Sequence, residues 1–269
     1  MKPIKAERKD FTVAQWNSEQ YLKFKKQRTQ PAIDLAKRIP VEHPNHILDI
    51  GCGPGNSTSV LKKMFPQAHI LGVDNSEDMI QKAKESYPDI DFQLCDVTTE
   101  LDTLDTYDII FSNACLQWIP NHREFIPMVF DRLNKNGVFA VQIPMNGQET
   151  LYQIMNAVLS EPQWGFSSTR METNETLRPE EYFDILASCT GDFDMWETVY
   201  YHNMPSVEAM VEWVKGTRLR PYLHALDDAN AERLEKEITE RAAAAYDTQE
   251  NGEIIFKFRR FFFIARKMD

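Results

Sequence analysis

The chain reads as an α/β protein: a doubly wound, mostly parallel seven-stranded sheet with a helical cap. Three observations predict this. Short apolar runs alternate with helical patterns through the first half of the chain. The first of those runs ends in a glycine-rich turn that opens a helix. After residue 145 the alternation breaks and gives way to helical blocks that cannot all be crossovers of the sheet. Strands alternating with helices at this spacing form a parallel sheet wound on both faces.

Residues 19–38 carry partial apolar faces at Tyr21, Phe24, Ile33 and Leu35, with Pro31 interrupting the helical stretch. Strand one covers 46–51, and a helix from Ser57 to Phe65 carries Val60, Leu61, Met64 and Phe65 on one side. Strand two covers 69–73. Ser76 caps a helix to about Ser86 with Met79, Ile80 and Ala83 inward. Strand three is 91–95, ending at Asp96, and strand four is 107–111. A helix over 122–134 stops at Asn136-Gly137, before strand five at 138–143.

Beyond residue 146 a helix over 150–159 leads into a stretch to 180 rich in Ser, Thr, Asn and Glu. A block over 206–216 turns Val207, Met210, Val211 and Val214 to one face, and 228–246 is charged and alanine-rich. Two later strands, 193–201 and 254–265, finish the sheet as an antiparallel pair. The expected organisation is a flexible tail over 1–15 and a core of 16–145 with 190–201 and 253–269. The cap is then 146–189 and 202–252.

Composition narrows the function. The chain has 269 residues, 42% hydrophobic and 26% charged, the make-up of a globular protein. A net charge of −11 argues against nucleic acid as a partner, because phosphates need the opposite sign. No apolar run is long enough to cross a bilayer, and residues 1–10 lack the apolar segment of a signal peptide. Cys52, Cys95, Cys115 and Cys189 are not spaced as metal ligands and read as free thiols in a reducing cytoplasm. No metal site and no obligate protein partner is evident.

The stretch Leu48-Asp49-Ile50-Gly51-Cys52-Gly53-Pro54-Gly55-Asn56-Ser57-Thr58 carries the chemistry. Its glycines let the backbone turn sharply and let a cofactor approach closely. The dinucleotide fingerprint wants a third glycine where Asn56 stands, so a nicotinamide oxidoreductase is a distant reading. The turn instead resembles the S-adenosylmethionine loop of class I methyltransferases, which are Rossmann-like. Ligands of open α/β sheets sit beyond the carboxyl ends of the strands. That rule selects Gly51, Gly53 and Gly55 after strand one, Asp74 for the ribose after strand two, and Asp96 for the adenine amine after strand three. It also selects Asn113 and Ala114 after strand four. Asp49 and Asn75 flank these positions. Met79 can lie against the adenine, and Trp118 packs near the cofactor.

Over nearly its whole length the chain resembles the trans-aconitate 2-methyltransferase family. Shared segments include Trp16-Asn17 with Tyr21 and Phe24, Arg28-Thr29, and Phe111 to Ala114 with Leu116-Gln117-Trp118. Others are Ala140 to Pro144, Tyr200-Tyr201-His202, Trp213-Val214, Leu219-Arg220-Pro221 and Arg260. The resemblance implies methyl transfer from S-adenosyl-L-methionine to a carboxylate of trans-aconitate, leaving S-adenosyl-L-homocysteine. A carboxylate is already ionised at neutral pH, so no catalytic base is expected and proximity and orientation suffice. A polycarboxylate needs cations, and Arg28, His202, Arg220 and Arg260 are the candidates. Trp16, Tyr21, Gln142, Tyr200 and Trp213 complete the implied substrate set. Strand alternation sends Tyr200 and Tyr201 to opposite faces, so at most one of them faces the site.

The chain departs from the family pattern at Arg218, Arg259 and the loop 165–180. Asn113-Ala114 also departs from the Asn-Pro-Pro-aromatic element of enzymes that methylate base amines. Two other readings stand beside the first. One is a related methyltransferase for another small molecule or for a malonyl carrier protein. The other is an S-adenosylmethionine-binding protein without turnover.

Overall fold

The computed structural model describes residues 25–166, 176–216 and 218–268, with side chains from residue 29 onward. The expected tail over 1–15 lies outside them. The strands are β1 (His46–Ile50), β2 (His69–Asp74), β3 (Asp91–Leu94), β4 (Tyr107–Asn113), β5 (Leu133–Pro144), β6 (Phe193–Met204) and β7 (Ile254–Arg266). The helices are α1 (Lys25–Ala36), α2 (Asn56–Met64), α3 (Glu77–Ser86), α4 (Val97–Glu100) and α5 (His122–Asp131). They continue as α6 (Thr150–Leu159), α7 (Pro179–Cys189), α8 (Val207–Lys215), α9 (Arg220–His224) and α10 (Asp228–Ala243).

The described residues divide into two compact units: 25–144 with 176–198 and 260–268, and 145–166 with 199–216 and 218–259. The strands form one seven-stranded sheet in the order β3-β2-β1-β4-β5-β7-β6. β1 pairs in parallel with β2 and β4, β2 with β3, and β4 with β5, while β7 runs antiparallel to β5. The chain steps outward from β1 to β2 and β3, then returns to lay β4 on the other side of β1. The order therefore reverses between β1 and β4, and this reversal sets the site.

The first unit's core lies on both faces of β4 and β5. Every residue from Val138 to Ile143 is buried, as an interior strand of a parallel sheet requires. On one face Phe139 and Phe263 meet edge-on at 5.5 Å, and Tyr182 of α7 stacks on Phe261 at 5.3 Å. Across the ladders Asn113 pairs with Gln142 and Gln142 with Phe262. These residues point to the opposite face, where Trp196 stacks on Phe262 at 5.0 Å. α1 packs on β5 and α2.

Three elements differ from the sequence expectation. α1 runs through Pro31 to Ala36 because Ala32, Leu35 and Ala36 are buried, and that packing outweighs the lost backbone bond. β5 begins at Leu133, five residues early, because Leu133 pairs with Tyr107 before the chain makes an excursion and rejoins at Val138. The excursion is held by Asn134 Nδ2 donating to Asp108 Oδ1 at 2.8 Å, with Asn136 at φ 61°. α7 has no counterpart in the sequence expectation, whose polar stretch runs to 180 and which assigns no helix to 181–189. Pro179 at its first turn and Glu181, whose Oε2 accepts the Arg178 N–H at 3.1 Å, form its start.

In the second unit α10 packs against α6 and α8. Its core combines Leu151, Met155 and Val158 with Met210, Val211 and Val214 and with Leu234 and Ile238. Glu149 caps α6 and accepts the Tyr246 hydroxyl at 2.5 Å, and burial raises the Glu149 carboxyl above its ordinary range. No helix among the described residues is long and apolar enough to cross a membrane.

Phe263 is fully buried against Phe139 and Tyr182. Phe263→Ala should destabilise the protein by about 3–5 kcal/mol, read as a lower urea midpoint.

Candidate active site

The site is built around the turn from β1 to α2. Gly51 has φ 69°, and a Cβ there would stand 2.2 Å from Cys115 Sγ, so this turn and the loop after β4 meet only because Gly51 lacks a side chain. Gly53 has φ 54°, and a Cβ there would meet nothing within 4 Å. What that position requires is the left-handed backbone and open space beside it.

Two carboxylates fix the turn. Asp49, fully buried, accepts hydrogen bonds through Oδ2 from Ser57 Oγ and Thr58 Oγ1, both at 2.7 Å. Burial pushes its carboxyl up to about 7, against the pull of those two hydroxyls. Asp74 accepts the Gly53 N–H on Oδ2 at 2.9 Å and the Ser76 N–H on Oδ1 at 3.0 Å. Burial raises the Asp74 carboxyl, and the two backbone bonds oppose the rise. Each oxygen of Asp74 keeps a second lone pair for a ligand hydroxyl.

A cavity of about 130 Å³ opens at the ends of β1 to β4, at the strand-order reversal. Gly51, Gly53, Asp74 and Asn75 line one side, with Met79 beneath. Asp96 stands at the β3 end, where its Oδ1 also accepts the Thr98 N–H at 3.0 Å and so caps α4. Asn113, Ala114 and Trp118 complete the wall from the loop after β4. Ala114 has φ 55°, a strained conformation for a residue with a side chain, and its N–H bonds to the Gln142 carbonyl at 2.9 Å.

Asp49 and Gly55 were expected at the cofactor and do not line this cavity. Asp49 is drawn inward by Ser57 and Thr58. At Gly55 a Cβ would stand 2.7 Å from the Tyr87 ring, so packing requires that glycine. The sequence reading missed Pro54, Val73, Cys95, Val97, Thr98, Cys115 and Ile119. All are neighbours of named positions, and the strand-end rule would have reached them if extended by a residue or two. Burial keeps the Cys52 and Cys115 thiols protonated, which makes them poor nucleophiles.

A second space of about 10 Å³, room for one water, shares Gly51, Pro54 and Asn113 with the first and is roofed by Thr29 and Ala32 of α1. Among the described residues, Asn113 Oδ1, Asn56 Nδ2 and Asp49 Oδ1 have no hydrogen-bond partner.

The expected substrate residues fall into three groups. Trp16 and Tyr21 lie outside the described residues, as does the Arg28 side chain. In the first unit Gln142 and Arg260 are buried on one face of the sheet, Arg260 paired with Pro144 two positions along from Gln142. In the second unit His202 stacks between Tyr200 at 6.3 Å and Trp213 at 5.1 Å, and Arg220 begins α9. Tyr201 is exposed on the other face of β6. Of the two departing arginines, Arg218 donates to Asn156 Oδ1 at 2.9 Å and lies over the Tyr152 ring, while Arg259 is exposed.

Comparison with known proteins decides the family. Residues 43–196 match the methyltransferase domain. A trans-aconitate 2-methyltransferase of Rhodopseudomonas palustris is 39% identical over 257 residues, covering 95% of this chain and all of that one. The Escherichia coli enzyme of the same name is 37% identical, covering 96% of this chain and all of its own. The chain belongs to the trans-aconitate 2-methyltransferase family. Solved structures agree on the fold. The YcgJ protein of Bacillus subtilis superposes with a TM-score of 0.56 at 14% identity, over 89% of this chain and 99% of that one. Phosphoethanolamine N-methyltransferase 2 of Haemonchus contortus, solved with S-adenosyl-L-methionine, gives 0.52 at 21% identity, over 89% of this chain and 52% of that one.

The cavity fits the family's cofactor on its own chemistry. Its lining holds two acidic side chains, Asp74 and Asp96, and behind the turn the Asp74 charge raises the buried Asp49 carboxyl further. An acidic lining of this kind favours a ligand bearing a net positive charge and repels a pyrophosphate. Met79, Val97 and Ile119 give the apolar wall an adenine needs.

The Asp49 carboxyl makes stability pH-dependent. Between about pH 4 and 7 the native chain keeps a proton that the unfolded chain has released, so its contribution falls as pH rises and levels off above 7. Asp49→Asn removes that dependence. Its unfolding free energy relative to wild type should therefore rise by about 2–3 kcal/mol between pH 5 and pH 8. Urea titrations at the two pH values test this, and an unchanged difference would show that Asp49 ionises normally.

Proposed function

We propose that this chain methylates a carboxylate of trans-aconitate, using S-adenosyl-L-methionine and giving the monomethyl ester. The similarity to the trans-aconitate enzymes runs through α8, α9 and β7 as well as through the cofactor cavity, and that full-length coverage carries the substrate reading.

In this reading Gly51 and Gly53 bring the backbone against the ligand and Asp74 holds the ribose hydroxyls. Asp96 takes the adenine amine, Met79 supports the ring, and Asn113 with Trp118 borders the methionine end. When bound, S-adenosyl-L-methionine supplies a methyl group on a sulfonium, which leaves as a neutral thioether when the acceptor oxygen takes the methyl. The protein removes no proton, because a carboxyl group of ordinary acidity is ionised at pH 7. Its work is to hold an acid oxygen in line, to exclude water and to screen the acid's charge. Arg260, Arg220, His202 and Arg28 are the proposed anion-binding groups. Trp16, Tyr21, Tyr200 and Trp213 are the proposed walls. We place the enzyme in the cytoplasm, where the free thiols Cys52, Cys95, Cys115 and Cys189 stay reduced.

Radiolabelled methyl transfer to a panel of di- and tricarboxylic acids should label trans-aconitate fastest, with the label released by mild base as expected of an ester. A base-stable product would place the methyl on nitrogen or carbon and end this reading. Asp74→Ala should weaken S-adenosylhomocysteine binding by about tenfold or more in titration calorimetry, since it removes the ribose acceptor and the group that fixes Gly53.

A further inference from the structure

Gln142 stands apart among the polar groups of the sheet. It lies on β5 with no exposed surface, between Asn113 on β4 and Phe262 on β7. Among the described residues neither its Oε1 nor its Nε2 has a hydrogen-bond partner. A carboxamide buried this way forgoes the bonds it makes to water when unfolded, a loss of the kind a core residue of the same size avoids. Its neighbours on the strand, Val141 and Ile143, are what such a position ordinarily holds.

Its position says what the amide is for. The cofactor cavity is walled by the ends of β1, β2, β3 and β4, and Asn113 is the wall residue that pairs with β5 across the ladder. Partners across a ladder project to the same face, so Gln142 stands beside Asn113, one strand further along the edge and outside the cavity. Asp74 and Asp96 hold the nucleoside at the β2 and β3 end, so the reacting end of the cofactor faces β4. A group on β5 then reaches whatever lies beyond that end, which is the acceptor.

We infer that Gln142 is the residue that holds the methyl-accepting carboxylate, donating from Nε2 to the oxygen that does not take the methyl. This rests on the methyl-transfer reading above and adds to it. The choice of an amide follows from the chemistry. The accepting carboxylate loses its negative charge as the ester forms, so a full cation on it would hold the ground state more tightly than the transition state and slow the reaction. A neutral donor orients the same oxygen with little such penalty. Arg260, on the same face of β7 at the Pro144 pair, suits a carboxylate that keeps its charge throughout.

The test uses the full-length protein with Gln142→Met, similar in volume and without polar groups, beside Gln142→Glu. Three results are expected of Gln142→Met. The thermal midpoint without acid equals or exceeds wild type, because nothing in the free protein bonds to the amide. Affinity for S-adenosylhomocysteine stays within twofold. The kcat/KM for trans-aconitate falls tenfold or more, with both positional monoesters formed where wild type forms one. Gln142→Glu should fall further, by repulsion of the acid. A lowered midpoint for Gln142→Met would show a structural role, weakened S-adenosylhomocysteine binding would assign the amide to the cofactor, and unchanged acid kinetics would leave it no role; each overturns the inference. A wild-type protein that labels no acid removes the functional reading and this inference with it. An active wild type with an unaffected variant removes the inference alone.

Discussion

The structure depends on burying two carboxyl groups under a glycine turn. Asp49 has no contact with solvent, and among the described residues its desolvation is opposed by two hydroxyl donors, Ser57 and Thr58. A hydrogen bond to a charged group contributes about 1.5–3 kcal/mol, whereas removing a carboxylate from water costs several. Desolvation outweighs the two bonds, which is why the carboxyl is pushed up to about 7. Asp74 is better compensated, by two backbone N–H groups, and its shift is in the same direction. Together they tie the end of β1 to α2 and the turn to β2. Gly51, Gly53 and Gly55 carry the chain between them at positive φ, a conformation that favours glycine.

That turn is positioned by close approaches on either side. Gly72 on β2 leaves room for Phe92 and Cys52, since a Cβ there would stand 2.7 Å from the Phe92 ring. Gly51 leaves room for Cys115, which brings the loop after β4 against the turn. The loop in turn adopts positive φ at Ala114 and is anchored to β5 by the Ala114 N–H. Strain at a residue with a side chain persists only where the surroundings over-determine it. Here they are a pair of interior strands buried on both faces.

Much of this was legible in the sequence, because strand ends are legible. The apolar runs stop where the cavity-lining residues start, so Gly51, Asp74, Asp96 and Asn113 could be named from order alone. What the sequence hid was which way a polar side chain turns. Asp49 sits one residue before the end of β1 and looks like a cofactor ligand, but alternation and the hydroxyls of α2 draw it inward. Pro31 looked like a break in α1 because the apolar face that carries the helix past it is defined by β5, far along the chain. The polar start of α7 looked like loop because capping residues and loop residues are the same types. The start of β5 was hidden by an excursion whose hydrogen bonds join Asn134 to Asp108 on another strand.

Rigidity explains where the unusual groups lie. Strain at Ala114 and an amide without bonds at Gln142 both destabilise the fold; Gln142 lies on the β4–β5 ladder and Ala114 is tied to its end, with buried layers on either face. On a mobile edge either would relax: Ala114 would leave positive φ and Gln142 would turn to water. Held between Asn113 and Phe262, the amide has few rotamers and no solvent, so a group arriving there meets a donor already oriented and already dry. The same burial that makes the group unfavourable in the free protein makes it effective toward a bound anion, because a hydrogen bond in a site without water is stronger than one made at the surface. A surface glutamine would be stable and would select nothing.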